Sequence, residues 1–123
     1  MKTHCFALDL HDDPALIAEY RRYHKIENVW PTVLACIRDE GILTQQIYLA
    51  GNRLFMILQT TDEFSLEAKM AADKQNSKMQ EWEALMWKYQ KPLPFAEPRE
   101  KWVRMEKIFE VGPSLLEEDS PKT

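Results

Sequence analysis

The sequence predicts an α+β protein with a ferredoxin-like β-α-β-β-α-β pattern and an antiparallel sheet. Three observations carry that expectation. Strand-like and helix-like segments alternate in this order along the chain. Two apolar, β-rich runs flank Gly51-Asn52, a pair suited to a hairpin turn. The run after that turn is apolar on both faces, with Phe55 and Ile57 pointing one way and Leu54, Met56 and Leu58 the other. A strand of that kind requires cover on both sides. Helices supply one cover, and the sheet of a second copy is expected to supply the other, giving a homodimer closed as a dimeric α/β barrel.

The elements follow in order. "HCFALDL" (4–10) alternates and stops at "HDDP", as a first strand does. Asp12 or Asp13 can cap a helix entered through Pro14, because proline is tolerated in a first turn where its missing amide has no partner. That helix is expected to reach about Lys25. A further helical piece starts at Pro31 and closes at Gly41. The hairpin occupies 42–60. "TDEFSLEAKMAADKQ" (61–75) reads as a helix capped by Thr61 or Asp62, with acids in its first turn. "NSKMQEWEALMWKYQ" (76–90) reads as another, capped by Asn76 or Ser77. "KPLPFAEP" (91–98) reads as a surface loop, "KWVRMEKIFEV" (101–111) as a last strand, and 112–123 as a flexible polar tail. The domain is therefore expected over 1–111.

Composition bounds the function. A chain of 123 residues with 45% hydrophobic and 29% charged residues has the make-up of a single globular domain. Its net charge of −4 argues against nucleic acid, whose binders present a basic face. No run is apolar enough for a membrane span, and acidic residues interrupt the N-terminal segment too early for a secretory signal. Cys5 and Cys36 read as small buried hydrophobes. A cytoplasmic location is expected, with no nucleic-acid or membrane partner.

The candidate chemistry centres on "EYRRYH". Tyr20 and His24 are four residues apart and share a helical face. Leu16, Tyr20 and Tyr23 form an inward stripe, and His24 continues its edge. One reading is a histidine packed at a helix C-terminus. The other is a proton carrier, since histidine both donates and accepts near neutral pH and a neighbouring tyrosine can orient or share the proton. Met79, Trp82, Leu85, Met86 and Tyr89 lie at helical spacing and read as core first, ligand wall second. Trp87 falls off that stripe, and its flat apolar face suits the C–H side of a sugar ring, an option also open to Trp30 and Trp102. His4, His11 and His24 lack metal-ligand spacing, and three glycines make no phosphate loop, so no metal or cofactor is expected.

"EYRRYH" with a following "WP", "IYLAGNRLFMI", "MQEWEALMWKYQKPLP" and "KWVRMEKIFEV", in this order, resemble the sugar mutarotase family that includes L-rhamnose mutarotase, and within it the L-fucose branch. The likeness spans about residues 3 to 111. It implies a dimeric ferredoxin-like barrel and cofactor-free interconversion of the anomers of a monosaccharide. Matched by position, it implies that His24 and Tyr20 are catalytic and that Tyr48 and Trp82 bind the sugar, with Trp87 a further aromatic contact on its sequence position. One departure is that "KIENV", between His24 and Trp30, is two residues longer than in the rhamnose enzymes. That difference favours L-fucose over L-rhamnose.

Mutarotation opens a pyranose to its aldehyde and recloses it on the other face. The ring oxygen gains a proton while the anomeric hydroxyl loses one. General acid–base catalysis of this kind supplies roughly 10²–10⁴-fold. On this reading His24 donates to the ring oxygen, Tyr20 holds or relays the proton, and aromatic side chains hold the ring. Two rival readings share the fold: a small cofactor-free oxygenase and a ligand-binding module, since a fold does not set a function. A pocket with several polar groups favours a sugar, and an all-apolar one an aromatic substrate.

Overall fold

The computed structural model describes residues 1–114. Its elements are β1 (Lys2–Leu10), α1 (Pro14–Tyr23), α2 (Pro31–Asp39), β2 (Ile42–Ala50), β3 (Arg53–Thr60), α3 (Leu66–Lys74), α4 (Ser77–Trp87), β4 (Gln90–Lys91) and β5 (Val103–Arg104). All pairings are antiparallel, with β2, β3, β1 and β4 side by side and β5 also on β1. This is the ferredoxin-like sheet, its two helical crossovers each broken into two helices. Among the described residues no helix is long and apolar enough to cross a membrane.

Register sorts the side chains into two faces. Leu54, Met56 and Leu58 stand opposite Leu8, Phe6 and His4 on β1. The three β3 residues are buried, Leu54 among Tyr20, Val33, Met79, Trp82 and Met86 from the helices, Met56 and Leu58 with Phe6, Ile42 and Phe64. Each such side chain contributes roughly 1.5–3 kcal/mol by leaving water. Phe55 and Ile57 take the other face and are only half-buried. Gly51 adopts φ +61 at the hairpin turn, and Asn52 then ties the turn to β1, its Nδ2 donating to the Leu10 carbonyl at 2.9 Å.

Several boundaries differ from the sequence expectation, each for a local reason. Helix α1 is capped by Asp13, whose carboxylate accepts from the amides of Ala15 and Leu16. It stops at Tyr23 rather than Lys25, leaving His24 as the C-terminal cap. The helix expected from Thr61 starts at Leu66 with Ser65 as its cap. Thr61 is instead held at the sheet by the hydrogen bond its backbone N–H donates to the Gly41 carbonyl, and the turn that follows buries Phe64. Gly41 has φ +91, and a Cβ there would sit 2.9 Å from Thr61 Oγ1.

Helix α4, capped by Asn76, ends at Trp87 instead of Gln90. Gln90 and Lys91 pair with Leu10 and Asp9 as a strand, and Leu93 is buried, so the expected surface loop begins as part of the sheet and core. The expected strand over 101–111 shrinks to Val103–Arg104, paired with Ala7 and Phe6. The residues after it carry Ile108 and Phe109, 88% and 81% exposed. The fourth strand position is therefore shared by two short pieces. The tail expected over 112–123 lies, from residue 115 onward, outside the described residues.

Candidate active site

The C-terminal end of α1 places the central pair. A helix leaves its last carbonyls without intrahelical partners, and His24 satisfies one of them: its Nδ1 lies 2.8 Å from the Tyr20 carbonyl oxygen. A carbonyl only accepts, so Nδ1 carries the hydrogen. In the neutral ring Nε2 is then the bare nitrogen, with its lone pair free. Burial lowers the His24 pKa below its ordinary value, and the carbonyl hydrogen bond opposes this more weakly. His24 is therefore neutral and basic at Nε2 near pH 7.

Tyr20 sits one turn earlier, fully inside. Its ring lies 4.1 Å from that of His24, centroid to centroid. Burial pushes the phenol up to about 12; a hydrogen bond from Gln90 pulls it down, and the negative charge of Glu83 adds a smaller upward push. The phenol is thus a neutral hydrogen-bond donor. Trp82, 6% exposed, stands edge-on to His24 at 5.9 Å and to Tyr23 at 6.3 Å. Trp30 does not line the cavity; it backs Trp82 at 5.2 Å and carries the Lys78 ammonium over its own ring.

Two cavities meet at this pair. One of about 360 Å³ is lined by Tyr20, Arg21, His24, Ile47, Leu49 and Leu54. The other, about 100 Å³, shares Tyr20, His24 and Ile47 and runs inward to Trp82, Trp102, Gln45, Lys69, Glu83 and Gln90. Apolar walls with a few convergent polar groups are the general make-up of small-molecule sites. Lys69 is held by Glu40 at 3.1 Å and Asp73 at 2.7 Å, and Glu83 by Lys101 at 2.6 Å.

The structure brings Tyr20, His24 and Trp82 together, and it separates two other sequence candidates from them. Tyr48 stands opposite Phe55 in the ladder, on the far face of the sheet from its neighbours Ile47 and Leu49, and is 55% exposed. The period of two along a strand decides this: residues that flank a pocket-facing position face away. Trp87 is also outside the cavity. It is 38% exposed on α4 and packs under the Lys101 ammonium, 4.8 Å from its ring. Sequence reasoning missed Gln45, Lys69, Glu83 and Gln90. Gln45 could have been found by counting two positions from Ile47. Gln90 was hidden by the expectation that α4 continued through it.

A model of the L-rhamnose mutarotase family matches residues 3–111. An L-fucose mutarotase of Xanthomonas campestris pv. campestris is 42% identical over 115 residues, covering 94% of this chain and 92% of that protein. Among solved structures, an L-rhamnose mutarotase from Formosa agariphila superposes with a TM-score of 0.66 at 16% identity, covering 91% of this chain and 100% of its own. A tetracenomycin F2 cyclase from Streptomyces glaucescens, a type-II polyketide cyclase, follows with a TM-score of 0.57 at 13% identity, covering 91% and 98%. These two structural likenesses establish the fold.

Proposed function

The chain belongs to the L-rhamnose mutarotase family, and from this premise we propose that it interconverts the α and β anomers of L-fucose, with L-rhamnose the second choice of sugar. It is a sugar mutarotase, an isomerase acting on a monosaccharide. The fucose choice rests on the 42% identity with the Xanthomonas enzyme and on the longer segment between His24 and Trp30. The observation that carries the mechanism is the bare Nε2 of His24, set by the Nδ1 bond to the Tyr20 carbonyl, at the junction of the two cavities.

The tautomer makes His24 a base first. Nε2 takes the proton of the anomeric hydroxyl as the bond between the anomeric carbon and the ring oxygen breaks. The electron pair of that bond stays on the ring oxygen, and the proton on Nε2 is then delivered to it. The two oxygens sit on one carbon, so one imidazole can serve both without moving far. Tyr20, its phenol buried and neutral, donates a hydrogen bond to the ring oxygen as charge builds there and keeps its own proton. Trp82 offers a flat wall for the C–H side of the ring. After rotation of the aldehyde, the same steps in reverse close the other anomer.

The polar groups of the inner cavity support a sugar over an aromatic substrate. We also place the protein in the cytoplasm as a homodimer. The half-buried Phe55 and Ile57 and the exposed Tyr48 on the open sheet face, with Ile108 and Phe109 beyond β5, support a second copy as their cover.

Saturation-transfer NMR on a panel of 6-deoxyhexoses tests the reading. Protein should speed anomer exchange, and L-fucose should respond more than L-rhamnose. Each buried polar group left unpaired by a misoriented hydroxyl costs about 1–3 kcal/mol. Equal efficiency on both sugars would remove the fucose assignment, and no acceleration of any sugar would remove the activity.

A further inference from the structure

We propose that Gln90 is a specificity residue of the sugar site: its amide nitrogen turns the Tyr20 hydroxyl toward the cavity, and its amide oxygen accepts a hydrogen bond from one hydroxyl of the bound sugar. This rests on the mutarotase reading above and extends it to a particular group.

The placement of Gln90 is fixed by backbone. It pairs with Leu10 on the central strand, directly after the Tyr89 carbonyl has taken the amide of His11. Its side chain enters the inner cavity and is 3% exposed. Nε2 donates to Tyr20 Oη at 3.3 Å. A phenol that accepts from Gln90 cannot give that residue its own hydrogen, so the hydrogen stays available to a ligand. The other amide atom, Oε1, is buried with no hydrogen-bond partner. An unpaired buried acceptor is costly and calls for a donor.

The surroundings point to what that donor is. Met56, Leu58, Met79 and Met86 line the same cavity, so packing alone would be met by an apolar side chain at position 90. The charged groups nearby are already engaged, Lys69 by two carboxylates and Glu83 by Lys101. The missing partner is a neutral donor able to reach a buried amide oxygen beside Tyr20 and His24. A hydroxyl of a sugar whose anomeric end lies at His24 has that chemistry.

A cycle between protein and ligand tests this. Wild type and Gln90→Met are titrated with L-fucose and with its monodeoxy analogues. Affinity is read from tryptophan fluorescence and anomer exchange from NMR. In the wild type, one analogue should bind roughly 10- to 100-fold more weakly than L-fucose. Gln90→Met should lose about the same factor on L-fucose, chiefly in KM, and should no longer distinguish that analogue. Gln90→Glu keeps the shape and, once ionised at alkaline pH, offers only acceptors, so there it should take up the Tyr20 hydrogen and lower kcat. It also serves as the second variant if Gln90→Met does not fold. A wild type that binds all analogues alike, or a Gln90→Met protein with unchanged affinity and selectivity, overturns the inference while leaving the activity standing. Sugar binding without exchange removes the mutarotase reading, and the affinity cycle still decides the role of Gln90.

Discussion

The imidazole of His24 packs against the ring of Tyr20 at 4.1 Å while its Nδ1 donates to the Tyr20 carbonyl at 2.8 Å. One residue thus fixes the other's ring plane and tautomer together. A histidine that only capped the helix would need the hydrogen bond alone. Here the same bond leaves Nε2 as a base at the wall of a cavity.

Replacing His24 with alanine should lower anomer exchange by about 10²–10⁴-fold, the usual contribution of a general acid–base group. Circular dichroism should stay that of the wild type, because the side chain is only half-buried. A folded variant exchanging at the wild-type rate would remove His24 from the mechanism.

The exchange rate should depend on pH with a definite sign. The neutral imidazole is the active form, and burial depresses its pKa below the ordinary 6.5. Activity should hold through neutral pH and fall only as pH drops through that lowered value. The same depression means that the neutral ring stabilises the fold above the ordinary value and that this contribution is lost on acidification. A rate that rises toward acid would make the imidazolium the working form.

Trp82 and Trp87 should behave oppositely. Trp82→Ala empties a core position and should cost about 3–5 kcal/mol of stability along with most of the exchange activity. Trp87→Leu removes a contact with Lys101 worth about 0.5–1 kcal/mol and should leave exchange unchanged. Thermal melts and saturation transfer on the two variants check this, and loss of exchange in a well-folded Trp87→Leu protein would return that ring to the site.

Glu40 should make the fold more stable on the acid side of neutrality. Burial, then a hydrogen bond with Asp73, raise its pKa to about 7, against the opposing pull of Lys69. The folded value lies above the unfolded one, so the contribution is full below the ordinary carboxylate range and disappears as pH rises through about 7. In denaturant melts the stability of the wild type relative to Glu40→Gln should decline as pH rises through about 7, apart from the opposite contribution of His24 common to both. A slope unchanged by Glu40→Gln would place the effect elsewhere.

Sedimentation at micromolar concentration should give twice the 14.5 kDa chain mass. Ile57→Asp, which puts a charge on the open face of β3, should shift the protein toward monomer. A wild type that runs as a clean monomer would remove the second sheet as the cover of Phe55 and Ile57.

What the sequence determined by itself was whatever repeats along the chain. The period of two in 53–60, the hairpin turn at Gly51-Asn52 and the capping pairs Asp12-Asp13 and Asn76-Ser77 are local signals with local physical causes, and they suffice for the order of elements; the structure chooses Asp13 and Asn76. The i, i+4 spacing of Tyr20 and His24 survives even though the helix ends at Tyr23, because the cap residue still bonds back into the last turn. Tertiary contacts decided the rest. Helix propensity runs past Trp87, yet Gln90 and Lys91 leave the helix because the end of β1 offers them strand partners at Leu10 and Asp9. The 101–111 segment pairs with β1 only at Val103–Arg104, and β4, on Asp9 and Leu10 of the same edge, blocks its extension toward Lys101. Pairing with Leu10 turns Gln90 into the cavity beside Tyr20. No pattern within a single segment encodes it, because the energies compared belong to residues about eighty positions apart.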